Sequence, residues 1–260
     1  MGPPGETPPA AGGRRAIVIG ASSGIGAALV RQLAAEGWRV AALARRAGEL
    51  EALRAACADD CARSGGTVLA RAHDVTDVAA VPALFEELVR ELGGLDLFVY
   101  AAGVMPAVGP QEFDTEKDLS TLAVNLGGCV AWLNPTANLF RTQRAGTIVG
   151  ISSVAGERGR TGSPVYCTSK AGMTTYLEAL RNRLADSGVQ VCTIKPGFVE
   201  TAMMAGVERR LWVITPQAAA RRVLRAAHRH VNTRYVPMRW WWVMAVVRAI
   251  PSFVFSKLRV

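Results

Sequence analysis

Short apolar runs alternate with longer amphipathic stretches along most of the chain. Residues 16–19, 38–44, 67–72, 95–100, 147–149 and 189–194 are compact hydrophobic segments rich in Val, Ile, Leu and Ala. Between them, residues 25–36, 48–63, 77–92, 116–140 and 163–187 carry apolar positions at helical spacing. Continuous apolar strands separated by helices are the pattern of a parallel sheet covered on both faces. Asn134-Pro135 falls inside the fourth helix and is expected to bend or weaken it.

Two regions stand outside this pattern. Residues 1–13 are rich in Pro, Gly and Ala and read as a disordered tail. They hold no apolar stretch, so no secretory signal is expected there, and a cytoplasmic protein is. Residues 237–260 are the opposite, apolar and basic. The longest uncharged run there, 240–247, is far below the ~20 residues needed to span a bilayer. Its tryptophans and flanking arginines suit the headgroup boundary of an anionic membrane. Burial against a substrate site or an oligomer interface is the competing reading, and the sequence leaves both open.

Charge is unevenly spread. Residues 209–260 hold ten Arg, one Lys and no acid, whereas the remaining residues hold 19 basic and 21 acidic side chains. The net +9 therefore belongs to the C-terminal fifth. No nucleic-acid motif accompanies it, so nucleic acid is not an expected partner. The five cysteines are an odd number without framework spacing, and read as reduced, buried thiols. Cys57 and Cys61 lie four apart, but none of the three histidines is near them, and no metal site is expected.

The candidate chemistry lies in two places. The first strand runs into Gly20-Ala-Ser-Ser-Gly24-Ile25-Gly26, which opens a helix. Glycines there allow a tight turn and let a pyrophosphate approach the helix N-terminus, where free N–H groups favour anions. The second strand ends in Arg45-Arg46, where NAD enzymes commonly carry an acid for the ribose 2′-hydroxyl. Two guanidiniums suit a 2′-phosphate instead, and so NADP rather than NAD. Asp74, after the third strand, has two readings, an acceptor for an adenine amino group or a helix cap.

The second place is residues 153–170. Tyr166 and Lys170 are four apart and share a helix face. A phenol has a pKa of about 10 and is a poor base alone. A nearby ammonium lowers that value and lets the tyrosine exchange a proton with an alcohol or carbonyl oxygen. Ser153 could hold the same oxygen. Asn125 lies between Val124 and Leu126, where a buried amide needs hydrogen bonds. It reads either as a satisfied structural amide or as the holder of a water that feeds Lys170.

From about residue 14 to 236 the chain resembles the short-chain dehydrogenase/reductases. The matching pieces, in the family's order, are Gly20-x3-Gly24-x-Gly26, Asp74, Ala102-Gly103, Asn125, Ser153, Tyr166-x3-Lys170 and Pro196-Gly197 through Thr201. The resemblance implies a single three-layer, Rossmann-like, doubly wound domain with about seven parallel strands. It implies Tyr166 as the acid/base, Lys170 as the group that lowers its pKa and binds the nicotinamide ribose, Ser153 as the orienter of the substrate oxygen, and Asn125 as the holder of a relay water. For the cofactor it implies Gly20, Ser22, Ser23, Gly24, Ile25 and Gly26 around the phosphates, Arg45 and Arg46 at a 2′-phosphate, and Asp74 and Val75 at the adenine. Ala102 and Gly103 would lie along the cofactor, with Pro196, Gly197, Val199 and Thr201 at the nicotinamide end. No metal is implied, and a homodimer or homotetramer is.

The chain departs from the family pattern in Ile19, where Thr is usual, and in Tyr100-Ala101, where two amides are. Between Thr201 and Thr215, Met203, Met204, Val207, Leu211, Trp212, Val213 and Ile214 are apolar; the resemblance implies a lid over the substrate, which suits a lipid-like, steroid-like or aromatic carbonyl, and simple packing on the core is the other reading. The expected activity is interconversion of a carbonyl and a secondary alcohol. A catalytically silent NADP-binding scaffold and a membrane-docked adaptor are the alternatives.

Overall fold

The computed structural model describes residues 13–109, 111–204 and 211–258. Apart from Gly13, the segment read as a tail lies outside the described residues, as does Val207 of the apolar lid.

Seven strands, β1 (Arg15–Ile19), β2 (Arg39–Ala44), β3 (Thr67–Ala72), β4 (Leu97–Tyr100), β5 (Thr147–Ile151), β6 (Gln190–Pro196) and β7 (Thr233–Val236), form one sheet in the order β3-β2-β1-β4-β5-β6-β7. Every pair is parallel. The order reverses between β1 and β4, and ligands bind at such a switch point, beyond the C-terminal strand ends. The helices are α1 (Gly24–Ala35), α2 (Ala47–Ala56), α3 (Ala58–Ser64), α4 (Val81–Leu92), α5 (Thr115–Leu122), α6 (Gly128–Gln143), α7 (Pro164–Arg183), α8 (Pro216–His228), α9 (Trp240–Ala249) and α10 (Ser252–Phe255).

Alternation along the strands fills two cores. Ala16 and Val18 of β1 face a core shared with α1, α2 and α8, whereas Ile17 and Ile19 face one shared with α4, α6 and α7. The three-layer reading of the sequence is the observed architecture. A third, smaller cluster joins Tyr235, Trp240 and Met244, and it docks α9 beside β7.

Several boundaries differ from the sequence reading. The helix expected over 48–63 divides at Cys57 into α2 and α3. The strand expected from 95 starts at Leu97, because the Asp96 carboxylate is taken by the backbone and guanidinium of Arg15. The helix expected from 77 starts at Val81, after a turn in which Asp74 accepts from Thr76. Pro135 does not break α6, which runs through it. Trp132, Leu133, Ala137 and Phe140 are buried on that helix, and this tertiary burial outweighs the lost backbone bond. The helix expected over 116–140 is instead interrupted at Ala123–Gly127 by a π-turn, a feature frequent at functional sites.

Candidate active site

The strand ends bring the separated motifs together. Gly20 follows β1, Ala101 follows β4, Ser152 follows β5 and Gly197 follows β6. All four open onto one cleft of about 740 Å³.

Along one side runs the glycine loop. Gly20 takes a positive φ of 85°, and a Cβ on Gly26 would stand 2.2 Å from the Gly20 carbonyl oxygen. The loop can close this tightly only without side chains. Ser23, the N-cap residue of α1, makes no side-chain capping bond, and the first turn of α1 holds no acid. Those N–H groups therefore face the cleft as an anion cradle. Arg46 Nη2 donates to Ser22 Oγ at 2.9 Å and to Ser23 Oγ at 3.0 Å, so its guanidinium lies over the loop. Arg45 pairs loosely with Asp74, at 3.8 Å across exposed side chains. The donor set fits a dinucleotide phosphate: glycine backbone, two hydroxyls and two guanidiniums line one rim. Ile25, Val75, Ala102, Gly103, Pro196, Val199 and Thr201 line the same cleft. Asp74 sits between His73 and Val75, which also line the cleft. Its carboxylate accepts from Thr76 N and Oγ1, which with Arg45 holds it below the usual carboxylate range.

The catalytic candidates converge at the centre. Burial pushes the Tyr166 phenol above its usual value, while a hydrogen bond with the Ser153 hydroxyl and the nearby Arg160 guanidinium pull it down. Ser153 Oγ also accepts from Ala155 N at 3.0 Å, which fixes the hydroxyl at the head of a 3₁₀ turn, Val154–Glu157. Lys170 lies with its ammonium 5.8 Å from the Tyr166 ring centre. Its Nζ donates to the Ile151 carbonyl at 2.9 Å, and burial lowers its pKa to about 8. The Arg160 guanidinium, which the sequence reading did not single out, is a further cation near the phenol.

Asn125 is fully buried in the π-turn. Its Oδ1 accepts from Val104 N at 2.8 Å, and its Nδ2 donates to Val104 O and to Ser169 Oγ. These bonds satisfy the buried side-chain amide. A Cβ on Gly103 would stand 3.4 Å from both Asn125 Oδ1 and Lys170 Nζ, so both side chains border the end of β4. Tyr100 supplies a brace of its own, because its hydroxyl donates to the Val124 carbonyl at 2.6 Å. Strand β4 is thus tied to the π-turn without the usual amides.

Residues 14–212 match the family described as short chain dehydrogenase. The chain belongs to the short-chain dehydrogenase/reductases. It is 38% identical over 192 residues to an uncharacterized oxidoreductase of Myxococcus xanthus, covering 74% of each chain. It is 35% identical over 194 residues to the 3-oxoacyl-[acyl-carrier-protein] reductase of Bos taurus, covering 75% of this chain and 79% of that one. Among solved structures it resembles a protein of Sinorhizobium meliloti described as a putative short-chain alcohol dehydrogenase, with TM-score 0.69, 31% identity, and 76% and 77% of the two chains covered. An actinorhodin polyketide ketoreductase crystallised with NADPH superposes with TM-score 0.74 at 26% identity, over 82% of this chain and 89% of that one. The protein is an oxidoreductase of this family.

Within this short-chain dehydrogenase/reductase the C-terminal segment closes the cleft. Trp240 and Met244 are buried one turn apart, and Val243, Val247, Ile250, Phe255 and Leu258 join them along the wall. Trp240 packs directly on Gly197, where a Cβ would meet its Nε1 at 1.9 Å. The burial reading of the C-terminal segment therefore describes the inner face of residues 237–258. The arginines expected at a membrane boundary are engaged within the protein: Arg239 lies over the Trp212 ring at 4.7 Å, and Arg248 pairs with Glu157 at 3.6 Å. No single described helix is long and apolar enough to cross a membrane. Among the described residues no cluster of His, Cys, Asp and Glu is placed to hold a metal ion. All five cysteines are free thiols, and burial pushes Cys129 and Cys192 up to about 12.

Proposed function

We propose that this oxidoreductase reduces a hydrophobic carbonyl compound to a secondary alcohol, using NADPH. The observation that carries the reading is that Ser153, Tyr166 and Lys170 line the same cleft as the glycine loop, with the Lys170 ammonium 5.8 Å from the phenol ring centre. A bound NADPH would supply the hydride. Ser153 and Tyr166 would both hydrogen-bond the substrate oxygen and stabilise the negative charge that grows on it. Tyr166, kept in its neutral form by burial, would hand that oxygen its proton. Lys170 would hold the ribose and replenish the positive charge beside the phenol, and Asn125 would position Lys170 through Gly103 and Val104.

NADPH over NADH is supported by Arg45 and Arg46 at the cleft rim, by Arg46 on the two loop serines, and by the NADPH in the polyketide ketoreductase. A ketone or 3-oxoacyl substrate is supported by the bovine 3-oxoacyl reductase. Its hydrophobic character is supported by Met105, Met203, Leu211 and the inner face of α9 along the wall. A homodimer or homotetramer is the assembly expected of the family, and sedimentation measures it. The test of the activity is NADPH and NADH oxidation against a panel of lipophilic and polar carbonyls. No turnover by any carbonyl, or equal use of both cofactors, overturns the corresponding part.

Peripheral docking on an anionic membrane is a second reading, favoured by one observation. Trp242 and Val246, at 70% and 67% exposure, form an outer apolar stripe on α9, and Phe253, at 72%, extends it. Residues 209–260 contain no acid to oppose anionic lipid. Co-sedimentation with neutral and anionic vesicles tests it, with Trp242→Gln/Phe253→Gln as the control. Equal, weak pelleting with both lipids removes it.

A further inference from the structure

Arg158 directly follows the Val154–Glu157 turn that Ser153 caps, and it lines the cleft. Its Nη1 donates to three carbonyls, Val247 at 3.3 Å, Arg248 at 3.3 Å and Ile250 at 2.8 Å. Its guanidinium lies over the Phe255 ring, 4.4 Å from the centre. The last carbonyls of a helix have no partner within it and carry the negative end of its dipole. A guanidinium, with several donors and a fixed charge, answers both needs. Glu157 beside it accepts from Lys195 Nζ at 2.6 Å and from Tyr235 Oη at 2.7 Å, and it pairs with Arg248. The turn that begins at Ser153 therefore ends in a latch on α9 and on the ends of β6 and β7.

The latch matters because of what α9 and α10 present inward. Met244, Val247, Ile250, Phe255 and Leu258 line the cleft that Ser153 and Tyr166 open onto. No carboxylate lies among these five, and a ten-residue helix does not hold its shape in water unaided. The geometry points to a subsite for an extended apolar chain attached to the reacting carbonyl, roofed by α9 and α10, with Arg158 as the positioning residue that holds the roof down. The polar end of this substrate rests on the carbonyl-reductase reading, but the chain subsite can be measured without turnover.

The experiment is tryptophan-fluorescence titration of the full-length protein with unbranched 2-alkanones, from 2-hexanone to 2-dodecanone. Burying a methylene should tighten binding about fourfold, so the wild-type dissociation constant is expected to fall by about that factor per carbon until the subsite is full. In Arg158→Ala the series should flatten to less than about 1.5-fold per carbon, with the dissociation constant for NADPH unchanged and Arg158→Lys in between. Val247→Trp fills the subsite from the other side and should end the series at a shorter ketone even if Arg158→Ala does not fold. A wild-type series that does not depend on chain length overturns the subsite. An Arg158→Ala series parallel to the wild type, or a Val247→Trp series of unchanged length, overturns the role of the latch or the roof. A clear chain-length series with no NADPH oxidation by any ketone would sink the reductase reading and leave the subsite standing.

Discussion

Lys170 Nζ donates to the Ile151 carbonyl at 2.9 Å, and this bond ties the helix that carries Tyr166 to the strand that leads into Ser153. Ser152 reinforces the joint by donating to the Lys170 carbonyl, also at 2.9 Å. The proton donor and the group beside it are thus set by two secondary-structure elements held in register, not by a loop.

This buried ammonium costs stability, and the sign can be followed with pH. Burial lowers the Lys170 pKa from 10.5 to about 8 in the folded chain. Between those values the unfolded chain holds a proton that the folded chain has released, so stability rises with pH. Below pH 8 the charged lysine weakens the fold by on the order of 3 kcal/mol. Lys170→Met should therefore be more stable than the wild type at pH 7, with the gap closing by pH 10. Urea unfolding at both pH values measures this, and a gap that does not change with pH refutes it. Turnover by the wild type should fall as pH rises through 8 and the ammonium is lost.

Tyr166→Phe removes the phenol that lines the cleft with Ser153 and Lys170. Turnover is expected to fall at least about 100-fold, as for other general acids, with NADPH affinity nearly unchanged. Retention of more than a tenth of wild-type kcat, with chemistry rate-limiting, assigns the proton to another group.

Arg46 holds Ser22 and Ser23, and Arg45 stands beside it on the rim. Arg46→Ala and Arg45→Asp should each lower the ratio of kcat/KM for NADPH over NADH by about 10-fold or more, the size of one charge-assisted bond. Arg45→Asp should act the more strongly, because it places a second carboxylate next to Asp74. A ratio that stays constant in both variants removes the 2′-phosphate role.

Gly197→Ala drives a methyl into the Trp240 indole, which stands 1.9 Å from the new Cβ. Overpacking of this kind costs about 1–3 kcal/mol, and the helix end can relieve it by leaving. The expected result is a lower Tm together with tryptic cleavage at Arg239 and Arg248, sites that the docked helix protects. Unchanged cleavage kinetics would mean that Trp240 repacks without releasing α9.

The periodicity of apolar runs determined the layered α/β fold by itself, because a parallel strand buried on both faces must be hydrophobic throughout. The glycine loop, the Arg45-Arg46 pair and the Tyr166–Lys170 spacing were equally legible, since each is a local pattern within one element or turn. Element ends were less so: Asp96 shortens β4 through Arg15, a partner 81 residues away, and the π-turn at Asn125 follows from bonds to Val104 and Ser169. Only the tertiary structure brought a second cation, Arg160, near the phenol beside Lys170. Arg160 and Lys170 lie on either side of Tyr166 in the chain, and spacing on a helix cannot say how a loop residue folds back. It also decided what the C-terminal tryptophans do. Both faces of α9 are apolar, so composition allows a lipid surface or a protein core. The placement of Trp240 on Gly197, and of Arg158 on the helix end, commits one face to the cleft and leaves Trp242 and Val246 outside.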